Sequence, residues 1–144
     1  FGFVRTAVYS PSLSSMGILE GLRKGRAIIT NGPFVTITLL EKGGVFNMGD
    51  EAPGQQSEVR IEALSTPEFG ALTQVTLYHG ARGSAEKKIF AVAPEGNPRY
   101  QFSALWPFSS DEAGYLRAEV SSKAGGKSYF GMTNPIYLKG TEKK

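Results

Sequence analysis

The feature that most restricts this chain is alternation. Val35, Ile37 and Leu39 alternate with Thr36, Thr38 and Leu40, and Val59, Ile61 and Ala63 alternate with Glu58, Arg60 and Glu62. Val75 and Leu77 face away from Thr76 and Tyr78. Tyr100, Phe102, Ala104 and Trp106 alternate with Gln101, Ser103 and Leu105, and Leu116, Ala118 and Val120 with Tyr115, Arg117 and Glu119. Successive side chains of a strand point to opposite faces, so a period of two describes a strand with one face in a core and one in water. Ile89–Val92 and Pro135–Leu138 are further strand candidates. Turn residues lie between the runs: Lys42-Gly43-Gly44, His79-Gly80, Pro94-Glu95-Gly96-Asn97-Pro98 and Ala124-Gly125-Gly126. Gly supplies positive φ and Pro fixes its own, which suits tight reversals. Many short strands at such spacing predict an all-β fold: an antiparallel β-sandwich, immunoglobulin-like, with one short N-terminal α-helix. Gly43–Gln56 reads as the longest irregular loop, polar and exposed through Asp50, Glu51 and Pro53.

One stretch departs from the β pattern. Between Ser12 and Lys24, Met16, Leu19 and Leu22 recur every third residue, Ser12 or Ser14 can serve as N-cap, and Gly25 lies just past the end. Arg23 and Lys24 fall in the last turn, where they favour the negative end of the helix dipole. Gly17, Gly21 and Gly25 recur every fourth residue. An interior Gly costs a helix about 1 kcal/mol relative to Ala, so a close approach by another element must offset it. That element lies either within the domain or on chain outside it.

With 144 residues the chain fits a single domain. Residues 1–140 form the sandwich unit, with a strand–helix–strand arm at 1–33 and sandwich strands over 34–140, and 141–144 form a flexible tail. Phe1-Gly2-Phe3-Val4-Arg5 is apolar and strand-like, without the hydrophobic core of a signal peptide, and reads as the start of an excised piece. With 40% hydrophobic and 20% charged residues, disorder is excluded. No apolar run approaches the ~18 residues of a membrane helix, so no membrane insertion is expected. Sixteen basic and 13 acidic residues leave only a mild positive excess. Arg23-Lys24-x-Arg26 is the one dense basic cluster away from the C-terminal lysines, and the broad basic face of a nucleic-acid binder is missing, so no nucleic-acid partner is expected.

Hydrolytic metal centres are assembled from His, Cys, Asp and Glu, and this chain has one His and no Cys. His79, before Gly80, reads as a hydrogen-bonded imidazole lining a turn. Asp50, Glu51, Asp111 and Glu112 lack EF-hand spacing and read as solvated loop charges. No Gly-x-Ser-x-Gly elbow, P-loop or dinucleotide fingerprint is present. The chain is therefore expected to be no enzyme by itself, with no catalytic residue, no metal ligand and no cofactor. A sugar ligand is the alternative reading, with Trp106 and Tyr115 as the stacking rings.

Two segments resemble a known family. Arg5-Thr6-Ala7-Val8-Tyr9, the helix, and Gly25-Arg26-Ala27-Ile28-Ile29-Thr30-Asn31-Gly32-Pro33 look like the stretch following the catalytic barrel in PHP-domain metallohydrolases of the CehA/McbA type. Thr133-Asn134-Pro135-Ile136-Tyr137 resembles their closing motif, and Leu116–Val120 their penultimate strand. The resemblance implies a C-terminal accessory or docking domain whose partner is the N-terminal PHP barrel of the same parent. That barrel carries the metals and the phosphoesterase-like hydrolysis, and none of its ligands maps onto this chain. The resemblance further implies that Arg5, Arg26, Asn31 and Asn134 face the barrel or its substrate. From the residues alone, Thr30–Pro33 and Asn134-Pro135 read as turns that set strand register.

Overall fold

A computed structural model describes residues 3–96 and 99–141. The tail expected at 141–144, save its first residue, and the Asn97-Pro98 part of one predicted turn lie outside the described residues. The elements are β1 (Arg5–Val8), α1 (Ser15–Arg23), β2 (Ala27–Thr30), β3 (Phe34–Glu41), β4 (Gly44–Asn47), β5 (Glu51–Ala52), β6 (Ser57–Leu64), β7 (Ala71–Ala81), β8 (Lys87–Val92), β9 (Gln101–Phe108), β10 (Gly114–Ala124), β11 (Lys127–Thr133) and β12 (Ile136–Leu138). They form an all-β sandwich with one short helix.

The smaller sheet runs β4-β3-β6-β9, all antiparallel. The larger is centred on β10, which pairs with β7 along one edge, and β7 carries β8. The opposite edge of β10 is shared end to end. β12 pairs with its first residues and β11 with its last, so β11 and β12 form one path interrupted at Thr133-Asn134-Pro135. β2 and then β1 flank β11, and β5 runs parallel to β12. The N-terminal strands of the arm are thus outer strands of the larger sheet.

Alternation dictates the core. Val35, Ile37 and Leu39 of β3 and Val59 and Ile61 of β6 meet Val75 and Leu77 of β7, Leu116, Ala118 and Val120 of β10, and Ile136 of β12, all almost completely buried. Burial of this apolar surface is the main force holding the two layers together. The expected loop Gly43–Gln56 is more ordered than the sequence reading has it. It contains β4 and β5, and Met48 and Ala52 enter the core. Two- and four-residue strands are too short to display a period, so their pairing is decided by tertiary contacts.

Candidate functional site

The helix shows the first anomaly. Ser14 caps it by accepting from the Gly17 N–H at 3.1 Å, and Gly25, at φ +68°, follows the C-cap Lys24. Its inward face consists of Gly17 and Gly21, both buried. A Cβ on Gly17 would lie 2.5 Å from the Ser12 carbonyl oxygen, and one on Gly21 2.5 Å from that of Tyr9 and 2.6 Å from Val8 Cγ1. The glycines therefore serve an intradomain approach of helix to arm, one of the two readings their spacing left open. The apolar side chains point the other way. Met16, Ile18, Leu19 and Leu22 are 72, 43, 45 and 47% exposed, and Leu13, just before the helix, is fully so. Surface helices normally turn this stripe inward.

The two segments carrying the family resemblance meet at the interruption between β11 and β12. Pro135 has no N–H to donate, and the Thr133 hydroxyl takes over a missing ladder bond by accepting from Ala118 N–H at 2.9 Å. Asn134 donates through Nδ2 to the Gly25 carbonyl at 3.0 Å and through its backbone N–H to Ala27 O at 2.9 Å. Gly49 N–H donates to Pro135 O at 2.8 Å, and any side chain on Gly49 would collide with the Lys24 carbonyl. Asn31 exchanges bonds with β11: its Oδ1 accepts from Phe130 N–H at 2.7 Å and its N–H donates to Phe130 O at 3.1 Å. The Thr30 hydroxyl donates to Pro33 O at 2.6 Å and accepts from Gly32 N–H at 2.9 Å. Asn134 thus closes backbone bonds where β11 gives way to β12, and Thr30 and Asn31 where the chain leaves β2 beside β11.

Arg26 stands beside this joint. It is half-buried, with Nη2 3.3 Å from Asp50 Oδ1 and a buried Nε that has no partner among the described residues. Asp50 is itself fixed by accepting from Asn47 N–H at 2.8 Å. Arg26 also lines a cavity of about 260 Å³ with Tyr9, Thr36, Thr38, Asn47 and Glu62, closed by Ile37 and Met48. This cavity shares Thr36 and Glu62 with an open groove of about 970 Å³ over the outer face of the smaller sheet. Strand register builds the floor: Thr36, Glu62 and Ser103 form one outward row across β3, β6 and β9, and Phe34, Leu64 and Gln101 the next. Sequence reading puts Thr36, Glu62, Gln101 and Ser103 on outer faces, but only the pairing shows that they adjoin.

The remaining candidates are dispersed. Arg5 is exposed on β1 opposite Thr30. Trp106 faces inward, half-buried, with its ring centroid 5.0 Å from that of Phe90. Tyr115 covers Gly80, and its hydroxyl donates to Glu86 at 2.8 Å, which together with burial raises its pKa. Glu86 also receives two bonds from Arg117, at 2.6 and 2.7 Å, which hold its carboxyl below the ordinary range, while the Arg117 guanidinium sits 4.4 Å over the Tyr78 ring. Trp106, turned inward onto Phe90, and Tyr115, packed over Gly80, thus do not form one exposed stacking platform.

His79 corrects its sequence reading. It lies inside β7, paired with Lys87 and Leu116, not at a turn, and its Nε2 is buried without a hydrogen-bond partner among the described residues. The ring meets Phe108 edge-on at 5.3 Å, and burial lowers its pKa, aided by Lys87 and opposed by Glu112. Among the described residues no group of three or more His, Cys, Asp or Glu side chains converges as a metal ligand set. Among the described residues no helix is long and apolar enough to cross a membrane. Comparison of the chain with protein-family models, with curated proteins and with solved structures finds no match in any of the three.

Proposed function

We propose that this chain is a non-catalytic docking domain that seats itself, through the outer face of α1 and the adjoining arm, on a catalytic partner domain. The observation that carries this reading is the reversed helix. Gly17 and Gly21 are the residues α1 buries, while Met16, Ile18, Leu19 and Leu22 remain 43–72% exposed. A contiguous exposed apolar stripe of this kind marks a surface completed by another protein. The resemblance of Gly25–Pro33 and Thr133–Tyr137 to PHP-type metallohydrolases supplies the partner: the catalytic barrel of the same parent.

The test is amide hydrogen exchange on residues 15–23, measured on this chain alone and on the chain linked to or mixed with the barrel. At least about 10-fold slower exchange of α1 with the barrel present is expected. Unchanged α1 exchange in a mixture or fusion that is otherwise folded overturns the proposal. So does sedimentation that shows two copies of this chain already covering α1.

A further inference from the structure

We infer that the outer face of the smaller sheet is a binding site for an extended neutral saccharide, entered at the Tyr9–Arg26 cavity. The inference is independent of the docking reading, which concerns α1.

Three observations select this ligand class. Dual-character polar groups converge beside an acceptor: among the described residues, no hydrogen bond or ion pair engages the side chains of Tyr9, Thr36, Thr38 and Asn47, which donate and accept, or of Glu62, which accepts, yet all five line one cavity of about 260 Å³. Hydroxyls and amides that both donate and accept match the vicinal hydroxyls of a sugar, whose every oxygen does the same. Charges of both signs are present: Arg26 lies 3.3 Å from Asp50, and the groove is lined by both Arg99 and Glu62. A free carboxylate or phosphate would meet Glu62, and a polyamine would meet the two guanidiniums, so neither finds a complementary field. Finally, apolar rings border the path. Tyr9 is 71% and Phe34 41% exposed, and Tyr100 lines the far end. Such rings offer flat faces to the C–H side of a sugar while the polar row Thr36–Glu62–Ser103 takes its hydroxyls. The groove beyond the cavity gives length, which fits an oligosaccharide better than a single ring.

The experiment titrates the ¹⁵N-labelled chain with neutral hexasaccharides of glucose, xylose, mannose and N-acetylglucosamine, with a galacturonate hexamer and spermidine as charged comparisons, each to about 10 mM. The expected result is saturable shifts of the Thr36, Glu62 and Ser103 amides with at least one neutral sugar. Tyr9→Ala and Glu62→Gln should each weaken binding about 10-fold or more. Both positions are exposed, and the amide spectrum itself reports whether each variant is folded. Leu19→Glu, on the docking face, should leave sugar binding unchanged, which keeps failure of one reading separate from failure of the other. The inference is overturned if no neutral sugar moves these amides, if only a charged ligand does, or if the shifts centre on another surface.

Discussion

β6 and α1 have similar sequence texture and opposite fates. β6 alternates Val59, Ile61 and Ala63 with Glu58, Arg60 and Glu62, and every apolar member of that set is buried and every charged one exposed. In α1 an apolar stripe is just as clear, yet glycine goes inward and Met16, Ile18, Leu19 and Leu22 outward. β6 obeys the rule that an amphipathic element buries its apolar face, and α1 obeys it only if a partner covers that face. They differ in where the covering surface comes from. For β6 it is the facing sheet of the same chain. For α1 the described residues leave that face largely exposed, and a partner completes it under the docking proposal.

The most damaging test of this contrast is Ile61→Ala. Ile61 is fully buried between the sheets, so the cavity left behind should cost about 2–5 kcal/mol, read as a drop in the denaturant midpoint. A cost below about 1 kcal/mol would mean that the two layers are not held by this interface.

Gly21→Ala ranks next. On an exposed helix the change should add about 1 kcal/mol of stability. Here the new methyl would meet the Tyr9 carbonyl and Val8, and backbone cannot yield as a flexible side chain can. A net loss of about 1–3 kcal/mol is expected, whereas Gly43→Ala, with nothing within 4 Å, should be tolerated. Equal tolerance at both positions would detach α1 from the arm and end the argument that its glycines face inward.

Most strands were legible because their residues alternate, over six or seven positions in β3, β6, β9 and β10 and over only four, Val75–Tyr78, in β7. β3, β6, β7, β9 and β10 all fall on the runs that alternation identifies, and Ser14 and Gly25 bracket the helix as capping chemistry requires. β4 and β5 were not, because Gly44–Asn47 and Glu51-Ala52 carry too few residues for a period, and Met48 is drawn into the core by its surroundings. β11 also escaped. Its Tyr129, Gly131 and Thr133 alternate, but a Gly at the centre, needed because Pro33 O approaches it closely, masks the apolar signal. The site was less legible than the fold. Thr36, Glu62 and Ser103 lie dozens of residues apart and become neighbours only through register, which a single strand does not encode.

A smaller effect separates the interior from the surface by pH. Burial holds the His79 imidazole below the ordinary value of 6.5. Between the folded and ordinary values the unfolded chain binds a proton that the folded chain does not. Stability therefore falls as pH drops through about 6.5, and the loss levels off below the folded value. Urea midpoints compared at about pH 7.5 and pH 5 should fall in the native chain by more than in His79→Leu. If the two chains fall in parallel, His79 is solvated and its position in β7 has no electrostatic cost.

The smallest expected change is the counterpart of Ile61→Ala. Leu19→Ala removes a side chain of similar size that is already 45% exposed. In this chain alone it should alter stability by no more than about 0.5 kcal/mol, since Ala is also the better helix former. Measured with the barrel in place, the same substitution should weaken association, because there the truncated side chain leaves a gap against the partner. A loss of core size in the isolated chain would mean that α1 is held by its own domain through Leu19. The contrast with β6 would then vanish, and the docking proposal with it.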